Sequence, residues 1–216
     1  MALPLEGATR APLMILASAS PRRADLLTQA GIRFEIRPSS IPEEIRLGEP
    51  PRDFALRLAR EKGESVAKKC SKGAFVLGAD TIVCLNGELF GKPCDATQAR
   101  AFLETLCGKT HDVMTAYAII EAPDRIVCWG IALSHVALKG ASRDEIAAYV
   151  ATGEPMDKAG AYAAQGIGKK FIERVEGSFT NVVGLPMEDL LPWFDKLSLR
   201  GAKGDPVATL RTGSAI

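Results

Sequence analysis

Three segments of the 216-residue sequence combine side chains that could handle a phosphorylated ligand. The first is Ser18-Ala19-Ser20-Pro21-Arg22-Arg23, which follows an apolar run and precedes a helical pattern. Free peptide N–H groups and the positive end of a helix dipole favour an anion at such a junction. Ser18, Arg22 and Arg23 add donors there, and the two guanidiniums can grip phosphate oxygens bidentately. The same hexapeptide also reads as an N-cap serine followed by two solvated arginines. No aromatic partner stands nearby to suggest base stacking with a nucleic acid.

The second segment is Gly78-Ala79-Asp80-Thr81, where a carboxylate between apolar stretches must be paired, hydrogen-bonded or bound to a cation. Mg²⁺ would be its natural companion beside a phosphate, although an aspartate capping a turn would look the same. Gly91-Lys92-Pro93 follows a hairpin signal closely, which would return Lys92 toward Asp80 as a phosphate clamp or an ordinary ion pair. Glu43 and Glu44 fall in a loop, where composition alone suggests solvated acids. The third segment runs through Asp157-Lys158-Ala159-Gly160-Ala161-Tyr162 to Gln165-Gly166. Its small residues permit close approach to a flat ligand, and a tight connection explains the glycines but not Gln165. His111 and His135 lack metal-ligand spacing and read as structural, hydrogen-bonded histidines.

These segments need elements to hold them. Leu13 to Ala17 reads as a buried strand, followed by a helix from Pro21 with Leu26, Leu27 and Ala30 on one face and Gly31 as its stop. Arg33 to Arg37 alternates like a half-buried strand. After Pro50 and Pro51 a helix gathers Phe54, Ala55, Leu58 and Ala59 on one face, with Arg57, Arg60, Glu61 and Lys62 largely off it. Phe75 to Leu77 and Thr81 to Leu85 read as strand on either side of Gly-Ala-Asp, and Asn86-Gly87 marks a hairpin to Glu88-Leu89-Phe90. Asp95 can cap a helix through Ala99, Phe102, Leu103 and Leu106 that ends at Gly108. Strands are expected near Asp112 to Glu121 and Ile126 to Leu138, then a helix opened by a Ser142/Glu145 capping box. Helices and strands alternate first and strands cluster later, which argues for a mixed sheet flanked by helices.

Composition narrows the function classes. Lys plus Arg total 27 and Asp plus Glu total 26, so the formal charge of +1 offers no reason to expect non-specific nucleic-acid or membrane-surface binding. An anionic partner must therefore be held by a local site. The five cysteines show no C-x-x-C spacing and read as free thiols. MALPLEGATRAP lacks the features of a secretory signal, and no apolar run reaches the ~18 residues of a membrane span. A cytoplasmic protein is expected. One folded domain over residues 13–197 is expected, with residues 1–12 and the Gly-rich 198–216 as mobile ends.

Taken in order, the segments resemble the Maf family of nucleotide pyrophosphatases. The likeness is carried by Leu16-Ala17-Ser18-Ala19-Ser20-Pro21-Arg22-Arg23, Leu58-Ala59-Arg60-Glu61-Lys62, Gly78-Ala79-Asp80-Thr81, Gly91-Lys92-Pro93 and Gly108-Lys109-Thr110-His111. It continues through Asp157 to Tyr162 with Gln165-Gly166, and through Gly177-Ser178-Phe179-Thr180-Asn181-Val182-Val183-Gly184-Leu185-Pro186. The resemblance implies an α/β fold related to the inosine-triphosphate pyrophosphatases, with a mixed twisted sheet and two lobes around a deep cleft, in a homodimer. It implies cleavage of dTTP and UTP to the monophosphate and pyrophosphate by in-line attack of water, with Mg²⁺ or Mn²⁺. By the same likeness Ser18, Arg22, Arg23, Lys62 and Lys92 would hold the triphosphate, and Glu43 and Asp80 the metal. Asp80 would orient or deprotonate the water, and Gln165 would read the base. A pyrophosphatase for 7-methyl-GTP or other modified purines, or a nucleotide-binding regulator of septum formation without turnover, would share much of the pattern. The chain departs from it at Pro42-Glu43-Glu44, which leaves open which glutamate faces the metal, and at Phe179, where tyrosine is more usual.

Overall fold

The computed structural model describes residues 14–200 and the pair Leu210–Arg211. β1 (Met14–Leu16) is apolar on both faces because both are covered: Met14 and Leu16 enter one core cluster, Ile15 and Ala17 another. Such continuous apolar runs are what a buried parallel strand requires. The chain leaves β1 through α1 (Pro21–Gln29) to β2 (Phe34–Ile36), then crosses by α2 (Pro51–Ala67) to β3 (Phe75–Leu85) on the opposite side of β1. All three strands run parallel, so the carboxyl end of β1 lies at the point where the connections diverge. In open α/β sheets that point is a crevice.

The second half is antiparallel. β3 turns through Asn86-Gly87, both at positive φ as the tight hairpin demands, into β4 (Glu88–Phe90). α3 (Ala96–Leu106) follows, capped by Asp95, whose Oδ1 accepts from the Gln98 N–H at 2.7 Å. β5 (Thr110–Glu121) pairs with β3, and β6 (Arg125–Leu138) with β5. α4 (Arg143–Val150) opens on the expected Ser142/Glu145 capping box. The segment after α4, to which the sequence reading assigned no regular elements, forms β7 (Ile172–Glu176), α5 (Phe179–Val183) and α6 (Met187–Lys196). With β8 (Leu210–Arg211) beside β2, the sheet order is β7-β6-β5-β3-β1-β2-β8, with β4 on β3.

Two findings differ from the sequence reading. Gly78-Ala79-Asp80 does not interrupt a strand; all three stay in the β3–β5 ladder, opposite Ala118, Tyr117 and Ala116. The residues after Leu197, expected in a tail, stay packed to Arg200: Leu199 is buried and Arg200 bridges to Ile32. The rest of that expected tail, apart from β8, and the expected N-terminal extension lie outside the described residues.

The long strands β3, β5 and β6 carry two lobes. One is built on α1, α5 and α6, with Leu27, Phe34, Leu77, Ile119, Leu185 and Phe194 at its centre. The other packs α3 and α4 around Val83, Leu103, Leu106, Val113, Tyr149 and Phe171. A cleft of about 660 Å³ opens between them. No helix among the described residues is long and apolar enough to cross a membrane.

Candidate active site

The floor of the cleft is decided by how closely α2 approaches β3. A Cβ added at Gly78 would stand 2.1 Å from the Ala59 carbonyl oxygen and 2.6 Å from Gly63 N, so this contact requires glycine at position 78. Lys62 immediately precedes Gly63, and Asp80 lies two residues after Gly78. Lys62 Nζ donates to Asp80 Oδ1 at 2.6 Å and pairs with Glu43 Oε1 at 2.6 Å. Lys62 and Asp80 are both buried, each 6% exposed. Two carboxylates thus converge on one ammonium, leaving a net negative charge on the floor. Burial would raise the Glu43 carboxyl, but the Lys62 hydrogen bond and the charges of Lys62, Lys92 and Arg23 hold it below its ordinary range.

This corrects two expectations. Lys62 does not lie off the buried face of α2, and the ammonium beside Asp80 is Lys62 rather than Lys92. Lys92 instead lines the cleft, exposed and without an ion-pair partner among the described residues. Of the two acids at the loop, Glu43 enters the cleft and Glu44 does not. The Glu43 loop is braced from behind, where Arg57 grips Glu49 with two contacts of 2.6 Å and donates to the Glu44 carbonyl oxygen at 2.9 Å.

The basic first turn of α1 divides its labour. Arg23 is buried and donates to Ser18 Oγ, Ala79 O, Gly184 O and Thr81 Oγ1 at 2.9–3.0 Å. Four of its five N–H donors are therefore committed to protein, so it mainly builds the loop and has one N–H left for a ligand. Ser18 Oγ accepts from Arg23 and from the Ser20 N–H, which leaves its own hydrogen to give. Arg22 reaches the cleft and pairs at 3.1 Å with Asp157, whose carboxylate also meets Lys158. Gln165 lines the same cleft, exposed.

Thr81 was not singled out from the sequence, yet it bridges Arg23 to Thr115 at 2.9 Å, and Thr115 donates to the Asn181 carbonyl oxygen at 2.8 Å. A hydroxyl in a strand gives no signal of its own; only its neighbour Asp80 could have drawn attention to it. His111 lies outside the cleft lining and its Nε2 meets the Tyr162 hydroxyl at 2.8 Å. Burial draws its pKa down to about 4, with Asp112 opposing. His135 pairs with Asp112 at 2.7 Å on the surface. Phe179 is 42% exposed and also outside the lining.

The sequence matches a known family over nearly the whole domain: the model of the Maf-like proteins covers residues 13–197. The chain belongs to the Maf family. Within it, this Maf protein is similar to curated relatives named dTTP/UTP pyrophosphatase. The protein of Geobacter metallireducens is 51% identical over 81% of this chain and 90% of the relative. Those of Geobacter sulfurreducens and Anaeromyxobacter dehalogenans are 49% and 48% identical over 81% and 83% of this chain, and each match covers 91% of the relative. Among solved structures, a nucleoside-triphosphatase / dITP/XTP pyrophosphatase from Mycobacterium abscessus aligns over 86% of this chain and 97% of that one, at 16% identity and TM-score 0.42.

Proposed function

We propose that this Maf protein hydrolyses dTTP and UTP between the α- and β-phosphates, releasing the nucleoside monophosphate and pyrophosphate. The observation that carries the reading is the convergence of Arg22, Lys92, Lys62, Asp80 and Glu43 on one cleft that Gln165 also lines. The names of relatives about half identical to this chain support it.

A divalent cation belongs to the reading. Among the described residues no three His, Cys, Asp or Glu side chains form a metal cage. Mg²⁺ does not ask for one, since it commonly takes one or two carboxylates, waters and substrate phosphate oxygens. Glu43 and Asp80 supply that carboxylate pair. When bound, the cation would neutralise phosphate charge and make a coordinated water more acidic.

The chain's own groups account for the rest. Arg22, Lys92 and the free hydroxyl of Ser18 hold the triphosphate, and their positive charge opposes the negative charge that grows on the leaving pyrophosphate. Asp80 takes the proton of the attacking water. Lys62 fixes that carboxylate in place and offsets the cost of burying it. Replacing Asp80 by Asn keeps volume but removes the proton acceptor, so pyrophosphate release from dTTP with Mg²⁺ should fall at least about a hundredfold. Undiminished release by a folded variant would overturn the assignment.

A homodimer is part of the same proposal. Trp129 and Leu133 are 62% and 46% exposed, and they alternate with Ile131 on the face of β6 at the margin of the α2 cluster. A contiguous apolar stripe of this kind suits a subunit interface.

A further inference from the structure

An amide side chain can present its oxygen or its nitrogen, so on a loose turn Gln165 would accept a uracil edge and a cytosine edge alike. Discrimination requires a turn whose backbone does not yield. Glu154 is placed to supply that restraint. It stands half-buried at the start of the one-turn helix Glu154–Asp157. Its Oε1 accepts from the Ile167 N–H at 3.0 Å and its Oε2 from the Gly168 N–H at 2.8 Å. The Tyr149 hydroxyl accepts from the Ala163 N–H at 3.2 Å and lies close enough to this carboxylate to perturb its charge.

The peptides on both sides of Ala164-Gln165-Gly166 are therefore tied to one carboxylate–phenol pair. The glycines are what let the chain come so near. Gly166 has φ +81°, and a Cβ there would lie 2.3 Å from Glu154 Oε1. At Gly168 it would lie 2.3 Å from the Tyr149 hydroxyl. Burial alone would raise the Glu154 carboxyl, but the Tyr149 hydroxyl and the Gly168 and Ile167 N–H groups hold it below its usual range. The Glu154 carbonyl oxygen accepts from Lys158 Nζ at 2.7 Å, which links the turn to the Arg22–Asp157 side of the cleft. Gln165, by contrast, makes no side-chain hydrogen bond among the described residues.

We propose that Glu154 is a positioning residue for base discrimination: it holds the turn through Ala163–Gly168 so that Gln165 meets the pyrimidine edge in one place, without itself touching the nucleotide. Glu154 is outside the cleft lining, as that role requires. The proposal rests on the reading of Gln165 as the base-reading residue.

Steady-state kcat and KM for UTP and CTP, measured on wild type, Q165A, E154Q, Y149F and the E154Q/Q165A double variant, test both levels. Gln in place of Glu154 turns one acceptor into a donor that faces a peptide N–H. The UTP:CTP ratio of kcat/KM should fall about tenfold in E154Q, mainly through KM for UTP, and less in Y149F. The double variant should be no less selective than Q165A alone, because a loosened turn then has no reader to misplace. A wild-type ratio in E154Q, or an equal loss on both nucleotides, with selectivity reduced in Q165A, overturns the role of Glu154 and leaves that of Gln165 standing. Additive losses in the double variant also overturn it. An unchanged ratio in Q165A overturns the reading of Gln165 and this proposal with it. Should E154Q not fold, Y149F decides, and a wild-type ratio there counts against Glu154.

Discussion

Two adjacent arginines in the first turn of α1 have different occupations, and substitution should separate them. Arg23 satisfies the carbonyl oxygens of Ala79 and Gly184 from within the protein. Arg23→Ala leaves both without that donor, at about 1–3 kcal/mol each, so the variant should melt well below wild type. Arg22 is half-buried, and its one hydrogen-bond partner among the described residues is Asp157. Arg22→Ala should keep its melting temperature and raise KM for dTTP about tenfold, the scale of one charge-assisted contact. His111 makes a second residue-scale prediction. Its folded pKa of about 4 lies below the ordinary 6.5, so the unfolded chain binds the extra proton first as pH falls. The stability owed to the neutral ring is full above about pH 6.5 and lost as pH falls toward 4, on the order of 2–3 kcal/mol. Melting temperatures across that window should fall in wild type and fall less in His111→Gln.

At the scale of elements, the site depends on helix-to-strand distance. Gly63 and Gly78 let α2 lie against β3, and the 2.6 Å contact between Lys62 and Asp80 follows from that approach. Gly78→Ala must push the helix away or distort the strand. Overpacking of this kind costs about 1–3 kcal/mol, and chemical denaturation should register it. Activity should fall further than stability requires, because Lys62 moves with the helix; a variant with wild-type kcat would refute the coupling. Much of the element pattern was legible: the β1–α1 junction, the Asn86-Gly87 hairpin, the Asp95 cap and the Ser142 capping box are local, short-range preferences. β7, α5 and α6 were not assigned. β7 and α5 are five residues each, too short to show a period. α6, whose Met187, Leu190, Leu191 and Phe194 do recur at helical spacing, is interrupted by Pro192, which argues against a helix from sequence alone.

For the whole molecule, the apolar stripe of Trp129, Ile131 and Leu133 predicts self-association. A W129K/L133K variant should elute as a monomer in light-scattering chromatography while wild type elutes as a dimer, with the far-ultraviolet spectrum unchanged. A monomeric wild type would remove this part of the proposal. The cleft itself is also a property of the whole molecule, because its basic loop, its acidic floor and its Gln165 turn come from segments far apart in sequence that meet only when β3, β5 and β6 join the two lobes.

By itself the sequence determined the residue types, the order of motifs, the basic strand-to-helix junction and the family these imply. Local chemistry decides such features, and it is written in neighbours along the chain. Only the tertiary structure decided which cation meets Asp80, which glutamate enters the cleft, and that Arg23 mainly builds the loop. Each of those depends on burial and on contacts between distant segments, where a charge must find its partner at hydrogen-bonding distance or remain in water.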